Sequence, residues 1–222
     1  MKKLSVDPTI DPTAIVTDSR FGRYTEVGAR SRVTESTFGD YSYVVQDAEG
    51  VPVAQGDIRT DPVDAQATLT ALAAQLDRDL AAGRGEIDTV GLACAGIVDP
   101  VTGWLGRSPN LPGWEESNLG AILREVFRPR RVAVANDVNA ALYGEYRYGA
   151  GWGCRHLVMI ALGTGVGGGV IVDGALVTGR GHGAGEIGHM PLDLAGPLCA
   201  CGNTGCLEAY CGSVGLVRRA RE

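Results

Sequence analysis

An α/β fold built on a largely parallel sheet is what this sequence predicts, from three observations. Short apolar runs alternate with helical stretches from Tyr43 onward, the order that layered α/β domains require. Leu69, Leu72, Leu76 and Leu80 fall at helical intervals within residues 62–82, with Asp77, Arg78 and Asp79 on the opposite side. An apolar run at 156–162 ends in Gly163-Thr-Gly-Val-Gly-Gly-Gly169 and is followed by Val170 to Val172, the pattern of two strands joined by a turn.

Residues 1–42 stand apart from the rest. Ile15, Phe21, Val27 and Val33 recur every six residues, with Gly22 and Gly28 directly after two of them, and residues 38–44 repeat the step. A six-residue period belongs to neither helix nor simple strand and predicts a short left-handed β-helix, each side of whose coil turns one apolar residue inward. The wording Asp18-Ser-Arg-Phe-Gly-Arg-Tyr-Thr-Glu-Val-Gly-Ala-Arg30 resembles the opening of hexapeptide-repeat acyltransferases. A solenoid needs at least about three repeats to bury a core, and this run holds only about two coils. The resemblance implies a histidine base, whereas the first histidine of the chain is His156. The expectation is a nonfunctional leader or fusion remnant, with an acyltransferase fragment as the competing reading.

The later elements follow from local pattern. Val44 and Val45, the turn Asp47-Ala-Glu-Gly50 and Val51-Pro-Val53 predict a hairpin, and the helix at 62–82 comes next. Val90, Leu92 and Ile97 predict a strand over 88–98, ended by Asp99-Pro100. A loop is expected at 103–114, a helix near 118–127, a strand at 131–135, a helix after Asn136-Asp137, and a buried strand at 156–162.

The chain has 222 residues, 45% hydrophobic and 21% charged, with a net charge of −6, enough for one or two domains with a real core. The acidic balance speaks against nucleic acid or an anionic membrane as a partner held by bulk charge. Arg218, Arg219 and Arg221 are expected on the solvated face of a helix. No secretory signal or membrane-length apolar run is recognisable, so the cytoplasm is the expected location.

His189 and Cys199-Ala-Cys201-Gly-Asn-Thr-Gly-Cys206 bring an imidazole and three thiols to a spacing that can close around one ion. Zinc takes four nitrogen or sulfur ligands in a tetrahedron, and Gly202 and Gly205 free the loop to wrap it. A disulfide or a set of buried free thiols is the alternative. In a reducing compartment clustered cysteines more often bind metal, so a structural Zn2+ on His189, Cys199, Cys201 and Cys206 is expected. Cys94, Cys154 and Cys211 fall outside the cluster and are expected to be small core or incidental residues.

Asn110-Leu-Pro-Gly-Trp114, Ala135-Asn-Asp-Val-Asn-Ala140, Leu162-Gly-Thr-Gly-Val-Gly-Gly-Gly169, Gly185-Glu-Ile-Gly-His189 and the cysteine cluster through Glu208 stand in one order. On these motifs residues 43–222 resemble the ROK family of sugar kinases and sugar-responsive repressors. The resemblance implies an actin-like (ribonuclease H-like) fold of two α/β lobes, here 43–137 and 138–222, with sugar and ATP in the cleft between them. It also implies a bacterial glucokinase-like enzyme that forms a hexose 6-phosphate with ATP and Mg2+, in a family that tends to homodimers.

Asp137 is the candidate general base, since a carboxylate at a strand end can accept the hydroxyl proton as the bond to phosphorus forms. Taken alone it would be a helix N-cap. The resemblance implies Asn110, Asn136, Asp137, Glu186, His189 and Glu208 as sugar contacts, with His189 presenting one ring nitrogen to zinc and the other to a hydroxyl. Gly163, Thr164, Gly165 and Gly167 are the candidate nucleotide contacts, offering unobstructed amides and a hydroxyl to phosphate. His182 is expected on a mobile loop rather than in the ligand set.

Two departures from the family stand in the sequence. The opening strand and Asp-x-Gly-Gly-Thr turn, which in the family bind phosphate and serve magnesium, have no counterpart. Residues 32–42, with bulky Phe38 and Tyr41 beside Gly39 and Asp40, occupy that place. The chain also stops inside a helical stretch at 214–222. The expectation is a fused and truncated sugar kinase with impaired turnover, and the alternative is a catalytically silent sugar-binding or regulatory protein of the same family. A DNA-binding repressor would need a helix-turn-helix ahead of the sugar domain, and residues 1–45 lack helical periodicity.

Overall fold

The computed structural model describes residues 58, 60–79 and 87–221, together with the backbone of the six short strands that precede them. Those strands are β1 (Thr9–Ile10), β2 (Ile15–Thr17), β3 (Glu26–Val27), β4 (Arg32–Thr34), β5 (Ser42–Gln46) and β6 (Pro52–Asp57). There follow α1 (Ala65–Asp79), β7 (Thr89–Cys94), β8 (Val98–Asp99), β9 (Trp104–Leu105), β10 (Ser117–Asn118), α2 (Leu119–Phe127), β11 (Arg131–Asn136) and α3 (Asp137–Tyr148). The chain ends through β12 (Leu157–Leu162), β13 (Val166–Val172), β14 (Ala175–Leu176), a 3-10 turn (Ile187–His189), α4 (Leu207–Cys211) and α5 (Ser213–Arg219). It divides into two compact units, one comprising residues 1–88 and 122–130 and the other 89–121 and 131–222.

In the first unit β1 pairs with β3 and β2 with β4, both in parallel. Most of the predicted β-helix, with Gly39 and Asp40, lies outside the described residues. β5 and β6 form the predicted hairpin, antiparallel with a register shift at Val45/Gln46. α1 begins where Asp64 Oδ1 accepts the N–H of Ala67 at 2.8 Å, an N-cap that satisfies one of the free amides of the first turn. Its buried stripe is Ala65, Leu69, Ala73 and Leu76, the helical spacing legible in the sequence.

The second unit holds the candidate site residues. β7 and β11 pair in parallel from Thr89↔Arg131 to Cys94↔Asn136, so their carboxyl ends finish side by side. Ligands of α/β folds bind beyond such ends, because the loops that leave them converge there. β8, β9 and β10 form a small antiparallel sheet, and β12, β13 and β14 form a meander. Leu105, Leu111, Trp114, Val134, Leu142, Val166 and Ile171 are buried in this unit.

Two expectations are corrected. The sheet is not largely parallel: among the described residues only β7/β11 and the two short amino-terminal pairs run that way. Parallel neighbours need a crossover of a dozen or more residues, whereas β12 returns to β13 through three residues and β13 to β14 through two. Nor is the strand at 156–162 buried throughout. Val158, Ile160 and Leu162 are 61%, 55% and 69% exposed, while Leu157, Met159 and Ala161 are half-buried on the other face, and α3 packs on the strand. The alternation has the period of two that a sheet covered on one side produces. No helix among the described residues is long and apolar enough to cross a membrane.

Candidate functional site

A tight loop holds the metal-ligand candidates. Pro191 bridges to Cys206 and Leu198 to Thr204, closing residues 190–206 on themselves. Gly202 and Gly205 adopt φ of +95° and +71°, conformations that L side chains rarely take, so the loop needs glycine at both. The ligand atoms of His189, Cys199, Cys201 and Cys206 all lie within 4.8 Å of one another. Cys199 Sγ stands 3.7 Å from His189 Nδ1, and Cys201 Sγ stands 3.7 Å from Cys206 Sγ. A tetrahedral zinc with its usual bond lengths sets ligand edges of about 3.8 Å between sulfurs and about 3.6 Å between sulfur and nitrogen. The donor set therefore fits that ion. All three thiols are free, and a disulfide would need its sulfurs at about 2 Å.

The thiols differ in acidity. Burial raises Cys199 to about 12 and raises Cys206 as well. For Cys201 burial acts in the same sense, but the amide of Asn203 and the thiols of Cys199 and Cys206 outweigh it and lower its pKa. A cation would displace the remaining protons, which makes metal affinity depend on pH.

The other ring nitrogen of His189 faces a carboxylate. Its Nε2 lies 4.0 Å from Glu186 Oε2, so the two ring nitrogens face different partners, thiol on one side and carboxylate on the other. Burial raises the pKa of Glu186, His189 opposes the rise, and Asp137 and Glu208 add to it. Asp137, Glu186, His189 and Glu208 thus share one electrostatic neighbourhood.

Glu208, in the first turn of α4, is anchored at both oxygens. Oε2 accepts the N–H of Val166 at 2.9 Å, and Oε1 accepts the Cys199 thiol at 3.5 Å. It joins the cysteine loop to the end of the glycine turn. That turn spans Gly163 to Gly165, closed by Gly163 N–H donating to the Gly165 carbonyl at 2.9 Å. The Ser213 N–H donates to the carbonyls of Gly163 and Thr164, and its hydroxyl also reaches Thr164. A Cβ on Gly163 would meet nothing within 4 Å, whereas one on Gly165 would run into the Glu208 carboxylate. Gly167 lies in β13, where a side chain would collide with Val138 of α3; Gly168 and Gly169 similarly face Ile187 and Leu142. Close packing is sufficient reason for glycine at these three positions.

Asn136 and Asp137 divide the work differently from the sequence expectation. The N-cap of α3 is Asn136, not Asp137: its Oδ1 accepts the N–H of Asn139 at 3.0 Å, and its Nδ2 donates to the Gly96 carbonyl at 3.1 Å. Asp137 is the first helical residue, exposed, and its Oδ1 accepts only the adjacent N–H of Val138 among the bonds described here. Its carboxylate is available at the carboxyl end of β11, beside Cys94, whose thiol is pushed up to about 12 by burial and by the Asp137 charge.

Asn110 is exposed on the loop after β9, which Ser108 fixes beneath it. Ser108 is fully buried; its N–H donates to Glu115 Oε1 at 2.6 Å and its hydroxyl to the Ala95 carbonyl at 2.7 Å. The sequence carried no signal for the Ser108–Glu115 bond, since both are ordinary loop residues. His182 is outside the ligand set, with Nε2 3.7 Å from Asp99 Oδ1. Cys94 is buried, Cys211 half-buried and Cys154 exposed, all as free thiols.

The chain is similar to known proteins over most of its length. The ROK family profile matches residues 40–222. The glucokinase of Thermotoga maritima is 40% identical over 137 residues, 62% of this chain and 43% of its own length. That of Halalkalibacterium halodurans is 36% identical over 178 residues, 78% of this chain and 53% of its own. Among solved structures, the ROK family glucokinase from Streptomyces griseus in complex with glucose and AMPPNP superposes with a TM-score of 0.68 at 36% identity, covering 80% of this chain and 55% of that one. The chain spans about half the length of the curated relatives it matches.

Proposed function

The chain belongs to the ROK family, and from that premise we propose that it is an ATP-dependent hexose kinase of glucokinase type, acting on a glucose-like sugar at its 6-hydroxyl. Asp137 accepts the hydroxyl proton as the sugar oxygen bonds to the γ-phosphorus and ADP leaves. Asn110, Asn136, Glu186, His189 and Glu208 hold the sugar hydroxyls, and Asn136 also caps the helix that begins with Asp137. Gly163, Thr164 and Gly165 receive ATP phosphates with Mg2+, which supplies charge neutralisation there. Zinc on His189, Cys199, Cys201 and Cys206 is a structural brace, because four protein ligands leave no open position. The proposed lobes, 43–137 and 138–222, follow the family and divide the chain differently from the two compact units of the fold, and the proposed location is cytoplasmic.

The observation that carries the reading is the double orientation of His189, Nδ1 toward Cys199 and Nε2 toward Glu186. A second reading, a silent sugar-binding or regulatory protein, is favoured by the missing Asp-x-Gly-Gly-Thr turn, and for the same reason the proposed kinase has lowered turnover. ADP release with glucose, N-acetylglucosamine and N-acetylmannosamine, against Asp137→Asn, separates the two. Sugar-dependent ADP that vanishes in the variant supports the kinase. Sugar binding with no ADP above the variant's level establishes the silent protein instead.

A further inference from the structure

Arg107 belongs to none of the motifs that define the pocket, yet its side chain reaches the metal clasp across 94 residues of sequence: Nη2 donates to the backbone carbonyl of Cys201 at 3.0 Å. We propose that Arg107 is a positioning residue that carries the state of the metal clasp to the loop presenting Asn110 and to Asn136. The inference rests on the zinc and sugar reading above.

The side chain supplies one end of the linkage. The Cys201 carbonyl belongs to the turn in which Gly202 N–H donates to the Cys199 carbonyl at 3.0 Å and Cys199 N–H to the Asn203 carbonyl at 2.8 Å. Drawing Cys199 and Cys201 onto one ion fixes this turn, and with it the direction of the carbonyl that Arg107 holds. The guanidinium is exposed, so burial does not force the bond. A planar guanidinium loses little freedom per bond formed and suits a tether of this kind.

The main chain supplies the other end. The Arg107 carbonyl accepts the N–H of Ile97 at 3.0 Å, and Gly106 N–H donates to the Ile97 carbonyl at 2.8 Å. Gly96, at φ +120°, lies so close that a Cβ there would stand 2.7 Å from the Arg107 carbonyl and 2.8 Å from Ser108 Cβ. The Gly96 carbonyl in turn accepts Asn136 Nδ2 at 3.1 Å. On the downstream side, Ser108 is locked to Ala95 and Glu115, and Asn110 follows two residues later. One residue therefore holds the clasp by its side chain and, by its backbone, the segment that presents Asn110 and braces Asn136.

Trp114, 2% exposed and four residues beyond Asn110, is a local reporter of this loop. The test uses the full chain with Trp104 and Trp152 replaced by Phe, stripped with a chelator and titrated with zinc, with and without Arg107→Gln. Trp114 emission, bound zinc and glucose affinity are read together. With Arg107 present, zinc shifts the emission and tightens glucose about two- to fivefold, the size of one exposed charge-assisted bond. In Arg107→Gln, zinc stoichiometry stays the same while both responses fall to less than half, and Arg107→Lys, which keeps a charged donor, restores part of them. A full Trp114 response and full tightening in Arg107→Gln would overturn the proposal alone. A chain that takes up no zinc, or binds no glucose with or without it, overturns the underlying reading and the proposal together.

Discussion

Replacing Asn136 by Ala asks whether this residue holds α3 in the free protein or serves only the proposed sugar contact. Its Oδ1 accepts the Asn139 amide at 3.0 Å and its Nδ2 donates to the Gly96 carbonyl at 3.1 Å. Loss of an Asn cap costs about 1 kcal/mol. Loss of the second bond leaves a part-buried carbonyl short of a donor, about 1 kcal/mol more. The sum of about 2 kcal/mol lowers the unfolding midpoint by about 4–8 °C for a chain of this length. Asn136→Asp keeps an oxygen for the cap but offers no donor to Gly96, so it recovers only part of the loss. Thermal unfolding followed by circular dichroism, without sugar, measures both variants. A midpoint for Asn136→Ala within about 1 °C of the unsubstituted chain would refute the reasoning, because a contact made only to sugar leaves the free protein's stability untouched.

Three further outcomes follow from the same geometry. Cys206→Ser, at a fully buried ligand position, is expected to abolish stoichiometric zinc measured by atomic emission, whereas Cys154→Ser at an exposed thiol outside the cluster leaves it unchanged. Glu186 has a folded-state pKa above the usual 4.5, set first by burial and then by Asp137 and Glu208 against His189. Stability from such a group is complete below the unfolded value and is lost as pH rises through the raised one, while sugar binding, which needs the carboxylate as acceptor, weakens as pH falls through that window. Asp137→Asn removes a raising charge, so the acid limb of glucose binding by calorimetry should move to lower pH; a stationary limb would count against the shared neighbourhood. Gly163→Ala meets open space and should leave the unfolding midpoint within about 1 °C while weakening ATP binding. An unchanged ATP affinity would remove this turn from the nucleotide site.

The convergence of His189, Cys199, Cys201 and Cys206 was legible because these residues lie close along the chain and thiol spacing is a local property. Helix α1 was legible for a similar reason: Leu69 and Leu76 mark one face without help from distant neighbours. Asn136 and Asp137 were legible only as a pair. Either side chain can cap a helix, and the extended backbone at Asn136, φ −58° and ψ 143°, decides which one does. The covered face of β12 was not legible, because apolar residues occupy both faces and only α3 determines which is packed. Glycines 167–169 were visible, but their cause is Val138, Ile187 and Leu142, partners that no local pattern names.

The proposed metal clasp and the proposed sugar pocket share side chains, and this would limit what a metal could do. His189 turns one nitrogen to Cys199 and the other toward Glu186, while Glu208 accepts the Val166 amide and, only as long as Cys199 keeps its proton, the Cys199 thiol. An ion held by these four protein ligands would polarise no substrate atom, so its influence would pass through the positions of these two residues. Asp137, by contrast, is carried by β11 and α3 and is bonded to nothing in the cysteine loop among the described contacts. Losing the metal should therefore displace the proposed sugar contacts while leaving the proposed base where it is. A brace of this kind acts first on sugar KM and only later on kcat, the opposite of what a catalytic ion would show.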